Sequence, residues 1–324
     1  MVKSYQISKP GDPNVLKLKK FKHEELKPHQ LKIKNNFIPI NHMDVHHRNG
    51  TYNVGELPQA LGIAGVGTVI ETGRAVRDIK AGDLVGYATC FLGSYSEEVI
   101  IERNIAFGLN KDLPLDLVAA TIVPALTAHY LIFRTYFIKK EDFVLVNGAS
   151  GAVGSMIAQW VSSLGGNVIG VVGSKAKIAV AKSNGCKNVI DYNSEDVLQR
   201  VLEITDNNGV NVIYDCYGKK FFEQNCACLT YLGILVNYGD TTGIIDNFDP
   251  TKLWAKSLFY TKPNLSLYKS NQMELVLSTE TIFKAVKDKI LRPNYKVVDF
   301  KDIPNIHQQI EARKVIGSYV ARVA

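Results

Sequence analysis

No two cysteines in the 324-residue chain stand in a C-x-x-C pair, and the five present are Cys90, Cys186, Cys216, Cys226 and Cys228. An odd, scattered set excludes a disulfide scaffold and leaves buried or incidental free thiols. Cys226 and Cys228, two apart on an expected helix, point to different faces. The opening MVKSYQISKPGDPNVLKLKK lacks the apolar core of a signal peptide. No apolar run approaches the ~18 residues of a membrane span. The longest, around Ala119 to Phe133, is broken by Pro124, Thr127 and His129. Low-complexity tracts and internal repeats are also missing. The expectation is a cytoplasmic chain with no membrane partner.

Charge is not balanced. The 38 basic residues outnumber the 31 acidic ones, for a net charge of +7. Much of the excess is scattered lysine, as in KLKKFKHEELKPHQLKIK, which reads as a solvated face. A polyanion such as RNA stays open as a partner, but no RNA-binding motif supports it. Hydrophobic residues at 46% and charged residues at 21% are ordinary for a globular protein. The length exceeds that of one typical core and predicts two domains.

Up to about residue 120 the chain reads as β-rich. LKIKNN alternates, and GTVIET, DLVGYA and EEVII are short β-branched runs between turn residues. A short helix is expected in NHMDVHHRNG, closed by Gly50. From about Val123 the texture changes. FVLVNG, NVIGVV, NVIDY, VNVIYDC and ILVNYG read as strands. SMIAQWVSSLG, SKAKIAVAKSNG, SEDVLQRVLEIT and KKFFEQNCACLTYLG read as helices between them. That alternation predicts a parallel sheet with helices on both faces. After Phe259 the rhythm breaks. The long helix NQMELVLSTETIFKAVKDKI is followed by YKVVDF and SYVARV, strands expected to return to the first domain. The predicted fold is α/β: a doubly wound parallel-sheet domain over 124–261, inserted into a mostly antiparallel β domain formed by 1–123 and 262–324.

The stretch Asn147-Gly148-Ala149-Ser150-Gly151-Ala152-Val153-Gly154 follows a strand and opens a helix at the head of that βαβαβ series. It is not a perfect G-x-G-x-x-G, yet the physical demands are met. Gly151 lets backbone approach a pyrophosphate, and Gly154 lets the helix pack closely on its strand. Helix N-terminal amides then face the anion. A dinucleotide site specific for NAD carries an acid at the end of the second strand, about 20 residues on. Here that strand ends Val172-Gly173-Ser174-Lys175-Ala176-Lys177, with a hydroxyl and two lysines and no carboxylate. Those residues suit the extra phosphate of NADPH. A second cluster, GIAGVG at 62–67, runs into Thr68-Val69-Ile70. It reads as tight strand packing or a bulge.

Taken together, the segments NHMDVHHRNGTY, GIAGVGTVIETG, AGDLVGYA, LGSYSEE, PALTAHY, NGASGAVG, NVIDY, YDCYG and LFYTKPNL resemble the medium-chain dehydrogenase/reductase superfamily. Within it they are most similar to the zinc-free NADPH:quinone oxidoreductases of the zeta-crystallin-like branch. The resemblance covers nearly the whole chain. It implies a Rossmann domain inserted into a GroES-like one. At the positions of the superfamily's catalytic zinc ligands stand Asn41, Ile63-Ala64 and Val123, and Asn41, Ile63 and Val123 are not zinc ligands. His42 and His46, four apart, have a metal-compatible spacing but no evident third ligand beyond Asp44 or His47. No metal is expected.

The same resemblance implies site residues. His46 and Tyr52 would line the substrate pocket, with His46 standing where the branch has a tyrosine and either delivering a proton or only lining the site. Asn41 and Tyr52 would border the nicotinamide. Thr127 and Tyr130 would hold the carboxamide and ribose region. Gly151, Ala152, Val153 and Gly154 form the phosphate turn. Gly173, Ser174, Lys177 and Tyr192 would surround the 2′-phosphate. Tyr217 follows the fourth strand; Tyr238, Gly239, Asp240 and Thr241 follow the fifth. Thr261 and Lys262 stand where the branch has Thr-Arg. The implied activity is hydride transfer from NADPH to a quinone in an interdomain cleft. Reduction of an enone or enoyl thioester is the alternative, and an NADPH-binding crystallin-like or RNA-binding role is an alternative of another class. An edge strand at KSLFY suggests a homodimer.

Overall fold

A computed structural model describes residues 1–88 and 92–323, so Cys90 lies outside the described residues. By its internal contacts the chain divides into two units. One comprises Met1–Val123, Ser266–Thr281 and Pro293–Ala324; the other comprises Pro124–Leu265 and Ile282–Arg292.

The first unit opens with β1 (Val2–Ile7), β2 (Lys17–Phe21), β3 (Gln30–Ile40), α1 (His42–Asn49) and β4 (Gln59–Ala60). Strands β5 (Ala64–Thr72), β6 (Leu84–Ala88), β7 (Glu98–Glu102) and β8 (Ala106–Gly108) lead to α2 (Leu115–Tyr130). Alternation drives this half: in β3, Leu31 and Ile33 point inward between exposed or half-buried lysines and pack with Val69, Val85 and Val99. A three-stranded sheet runs β2-β1-β4, and β3, β5, β6 and β8 pair antiparallel in a larger one. The glycines of 62–67 serve this packing. A Cβ on Gly65 would lie 2.3 Å from the Tyr87 hydroxyl, and one on Gly67 would lie 2.3 Å from the Lys34 carbonyl. Beside them the β3–β5 register slips, as at a bulge.

The second unit continues with β9 (Phe143–Asn147), α3 (Ala152–Ser163), β10 (Asn167–Val172), α4 (Ile178–Ser183), β11 (Asn188–Asp191), α5 (Val197–Ile204), β12 (Val210–Asp215), α6 (Phe222–Cys228), β13 (Leu229–Asn237), α7 (Thr251–Trp254) and β14 (Phe259–Thr261). Its sheet is parallel throughout, in the order β11-β10-β9-β12-β13-β14. The order reverses direction beside β9, and the glycine turn leaves the carboxyl end of that strand. Continuous apolar runs such as Val144-Leu145-Val146 are fully buried, as strands covered on both faces must be.

After α8 (Leu265–Tyr268) and α9 (Gln272–Lys287), the chain ends in β15 (Tyr295–Asp299), α10 (Ile303–Glu311) and β16 (Ser318–Arg322). Strand β16 pairs antiparallel with β3 and so joins the first unit's sheet.

Three local expectations are corrected. The predicted helix over KKFFEQNCACLTYLG stops at Cys228, and Leu229–Gly233 is already strand. The amide of Leu229 caps Cys226, Leu229 pairs with Val210, and Tyr231 and Leu232 are left exposed. The last strands also do not abandon the βαβ rhythm, because β15 and β16 are parallel and joined by α10. Finally, Pro124 does not break the apolar run. It lies inside α2, and a wider-wound turn extends the helix through Thr135. Leu115–Thr135 is thus, by length and composition, apolar enough to span a membrane, but 78% of its most apolar window is buried inside the fold.

Candidate active-site residues

The glycine turn is built from the backbone outward. Gly148 adopts φ +70, and its carbonyl accepts the Gly151 amide at 2.8 Å. Gly151 is the N-cap of α3, and the first intrahelical bond runs from Ser155 N to Gly151 O. The amides of Ala152, Val153 and Gly154 therefore open the helix ahead of its hydrogen-bond ladder, at the positive end of its dipole. A Cβ on Gly154 would lie 2.3 Å from the Gly148 carbonyl oxygen, and one on Gly151 would lie 3.2 Å from it.

Around the turn stand aromatic side chains that follow the ends of β11 and β12. The Tyr217 hydroxyl accepts the Gly148 amide at 3.1 Å. Tyr192 meets Tyr217 edge-on at 5.6 Å between ring centroids, and Phe221 packs on both. The end of β10 carries Gly173 and Ser174, then a 3₁₀ turn over Lys175–Lys177. The Tyr192 hydroxyl lies where a Cβ on Gly173 would be, at 2.5 Å. The Asn193 side chain donates to the Gly173 carbonyl at 2.8 Å. Gly173, Ser174, Tyr192 and Tyr217 are thus drawn to one rim of the sheet, and Lys177 closes the turn beside them.

Beneath that rim lies a network that the sequence motifs do not signal. Asp215 is fully buried at the end of β12. Its carboxylate accepts from Asn147 Nδ2, Tyr217 N, Gly218 N and Asn237 Nδ2, all between 2.9 and 3.0 Å. Burial raises its pKa and the four donors oppose that rise. The Lys262 ammonium donates to Asn237 Oδ1 at 2.8 Å and to buried Asp240 Oδ1 at 2.7 Å. Tyr238 N donates to the Asp215 carbonyl, Thr241 N to the Cys216 carbonyl, and Asn237 Nδ2 to the Gly239 carbonyl. Thr261 sits on β14 opposite Val236. In α2, Thr127 and Tyr130 are both buried, the tyrosine at 2% exposure.

In the first unit, α1 starts on Asn41 and ends on Gly50, which takes the left-handed cap at φ +86. His42 and His46 meet edge-on at 4.7 Å, and His46 meets Tyr52 at 4.9 Å. The Tyr52 amide donates to the His46 carbonyl at 3.0 Å. His46 and Tyr52 are thus adjacent. Burial, with His46 and Arg313 nearby, lowers the pKa of His42 to about 4, and burial beside His46 lowers that of His47 to about 4. Both rings are neutral at pH 7.

These two arrangements define a class: a nucleotide-binding parallel-sheet unit joined to an antiparallel unit that carries a helix-borne histidine and tyrosine. The comparisons with known proteins agree. Residues 152–277 match the zinc-binding dehydrogenase family, and residues 27–111 match the alcohol dehydrogenase GroES-like domain. The chain is 32% identical to a quinone oxidoreductase of Pseudomonas aeruginosa, covering 99% of each chain. It is 33% identical to a 2-haloacrylate reductase of a Burkholderia species, covering 99% of this chain and 98% of that one. An Escherichia coli quinone oxidoreductase, solved in complex with NADPH, superposes with a TM-score of 0.97 at 31% identity, covering 99% and 100% of the two chains. The chain belongs to the medium-chain dehydrogenase/reductase superfamily and, within it, to the quinone oxidoreductases. Its fold is accordingly a GroES-like domain with a Rossmann domain.

The residues present do not fit the zinc of the first family. An amide, Asn41, and two buried apolar side chains, Ile63 and Val123, do not form a donor set for it. Among the described residues no three of His, Cys, Asp and Glu gather in a group suited to a metal.

Proposed function

We propose that the chain reduces a quinone with NADPH and without zinc. One observation carries the cofactor choice: the carboxyl end of β10 offers Gly173, Ser174 and a lysine-bearing turn where an NAD site has its acid. The glycine turn supports the same reading, since its close backbone packing leaves no room for side chains where a pyrophosphate approaches. When bound, NADPH supplies the hydride at its nicotinamide ring. The chain's own residues do the rest. The amides of Ala152 and Val153 receive the pyrophosphate. Ser174, Lys177 and Tyr192 receive the 2′-phosphate. Thr127, Tyr130 and Asn41 orient the carboxamide end, and Tyr238 to Thr241 and Thr261 complete the rim. Lys262 acts through Asp240 and Asn237, whose positions it fixes. His46 and Tyr52 line the substrate pocket.

The reaction balances as quinone plus NADPH plus one proton giving quinol plus NADP⁺. A quinol oxygen takes its proton from water or from His46, so no Lewis acid is needed. A second reading, reduction of a conjugated carbonyl, is favoured by the likeness to a 2-haloacrylate reductase. There the proton must reach carbon, and His46 matters more. We further propose a cytoplasmic homodimer formed through the edge strand β14, whose Phe259 is exposed, as are Trp254 of α7 and Tyr231 and Leu232 of β13. A monomer in sedimentation would refute that arrangement.

The test of the activity is loss of reduced-cofactor absorbance with an ortho-quinone. Quinone-dependent turnover preferring NADPH over NADH by at least ~10-fold is expected, since one charge-assisted phosphate contact is worth about that much. Equal use of the two cofactors would sink the cofactor assignment. Turnover with an acrylate but no quinone would select the second reading.

A further inference from the structure

A carboxylate at the third position of a helix usually caps it from the surface. Asp44 does so from the interior. It is 0% exposed, and its Oδ2 accepts the Asn41 amide at 2.7 Å, the Tyr95 hydroxyl at 3.0 Å and the Asn41 side-chain Nδ2 at 3.4 Å. Its Oδ1 has no partner. The Tyr95 hydroxyl is also 3.0 Å from His307 Nε2. Tyr95 and His307 are both 0% exposed.

Tyr95 cannot drift. Its amide and carbonyl are bonded to Leu61 and Tyr5, and its ring lies against Gly62, where a Cβ would come within 2.4 Å of it. His307 rides on α10, which packs on α1. One oxygen of Asp44 is therefore held by Asn41 and by Tyr95, whose hydroxyl is itself held by His307, and it in turn holds the Asn41 side chain. The Asn41 side chain in turn accepts from the Asp44 backbone amide, so residue and carboxylate close a reciprocal capping box at the start of α1.

We propose that Asp44 is a positioning residue of the reductase, orienting Asn41 and the first turn of α1 through the buried chain Asp44–Tyr95–His307. The inference rests on the reading of Asn41 as a nicotinamide neighbour. Burying a carboxylate costs several kcal/mol unless its hydrogen bonds are well made. A surface cap would hold the helix without that cost, whereas only a buried and crowded one also fixes the Asn41 side chain.

The groups around Asp44 make its ionisation visible. Asp44 itself meets Asn41 and, from the loop before β7, Tyr95; Tyr95 meets His307 of α10 and lies near Arg48, and His307 lies near Arg48 and His42. Arg48 is itself buried and paired with Glu311. Burial, with Arg48 and His42 nearby, lowers the pKa of His307 to about 3, and burial and Asp44 keep the Tyr95 phenol protonated. Burial lifts Asp44 to about 7, against the hydrogen bonds from Asn41 and Tyr95. Asp44 is thus the member of this chain that exchanges a proton near neutrality. Its ionised form is the better acceptor for Asn41.

The test is NADPH affinity from pH 6 to 8.5, read by cofactor fluorescence, together with the infrared band of a protonated carboxyl. The wild type should bind NADPH more tightly as pH rises through about 7, with the carboxyl band fading over the same range. Asp44→Asn should remove both changes and weaken NADPH binding about tenfold, the equivalent of one lost hydrogen bond. Tyr95→Phe, which keeps the ring that packs on Gly62, should move both changes to higher pH by about one unit. The 2′-phosphate titrates identically with every variant, so the difference between variants is the readout. If Tyr95→Phe leaves the wild-type profile in place, or Asp44→Asn keeps the band, the positioning role is overturned. If the wild type binds no NADPH, the reductase reading fails and takes this inference with it.

Discussion

Replacing Gly154 by alanine separates the two duties of the glycine turn. The new Cβ would lie 2.3 Å from the Gly148 carbonyl oxygen, 2.8 Å from its carbon and 3.1 Å from the Ala149 Cα. All three are backbone atoms. Carbon contacts settle near 3.5 Å or more, so helix and turn must part by about 1 Å. Alanine returns up to about 1 kcal/mol of helix propensity, and overpacking costs about 1–3 kcal/mol. The net loss is about 0–2 kcal/mol of stability. Parting the turn also moves the first amides of α3. Losing one charge-assisted bond to a phosphate, about 1.5–3 kcal/mol, raises the NADPH Kd about 10- to 100-fold. Gly151→Ala is the control. Its Cβ would stand 3.2 Å from the same oxygen, so the fold yields by a few tenths of an ångström. Stability should hold within about 0.5 kcal/mol, while NADPH binding falls because the methyl occupies the phosphate approach. Urea denaturation and fluorescence titration of both variants measure the two quantities. Gly154→Ala with wild-type affinity, or Gly151→Ala with wild-type affinity, refutes the phosphate cradle.

Three other outcomes follow from the same geometry. Lys177→Ala should raise KM for NADPH about tenfold, one charge-assisted contact, and leave KM for NADH unchanged; an equal effect on both places the lysine off the 2′-phosphate. His46→Phe keeps the ring contact with Tyr52 but removes the titratable group, so a loss of rate at alkaline pH in the wild type should vanish in the variant if His46 delivers the proton. Identical pH–rate profiles leave His46 as a lining residue only. His307, His42 and His47 have pKa values lowered in the folded state, so below pH 6.5 the unfolded chain binds more protons and stability falls with acidification toward pH 4. Asp44, raised to about 7, opposes this by taking up a proton on the folded side. His307→Gln should flatten the decline by at most about 1.4 kcal/mol per pH unit, measured by urea midpoints at pH 4.5, 5.5 and 6.5; an unchanged slope would mean that His307 is charged in the fold.

How much of this was legible in the chain depends on the distance over which each feature is set. The parallel sheet was readable because most of its strands are short apolar runs and helices α3 and α4 stop at their own glycines, Gly165 and Gly185. The glycine turn was readable because Gly148 takes a positive φ and Gly151 and Gly154 answer steric demands made by Gly148 a few residues away. The missing acid after Val172 was readable for the same reason, being a residue type at the end of one strand. The adjacency of His46 and Tyr52 follows from a single helix and its cap.

Other features needed the tertiary structure. Leu229 continues an apolar helical run in the sequence; pairing with Val210 decides that it is a strand. Pro124 looks like a breaker, but burial within α2 outweighs one lost backbone bond. Asp215 and Asp44 carry no local mark that separates them from surface acids. Their donors come from Asn147 and Asn237 in one case and from Tyr95, itself bonded to His307, in the other, brought together by strand order and helix packing. Local sterics and short-range hydrogen bonds are written in consecutive residues. Burial of a charge and the partners that make it tolerable are properties of the assembled sheet and helices, and only the fold decides them.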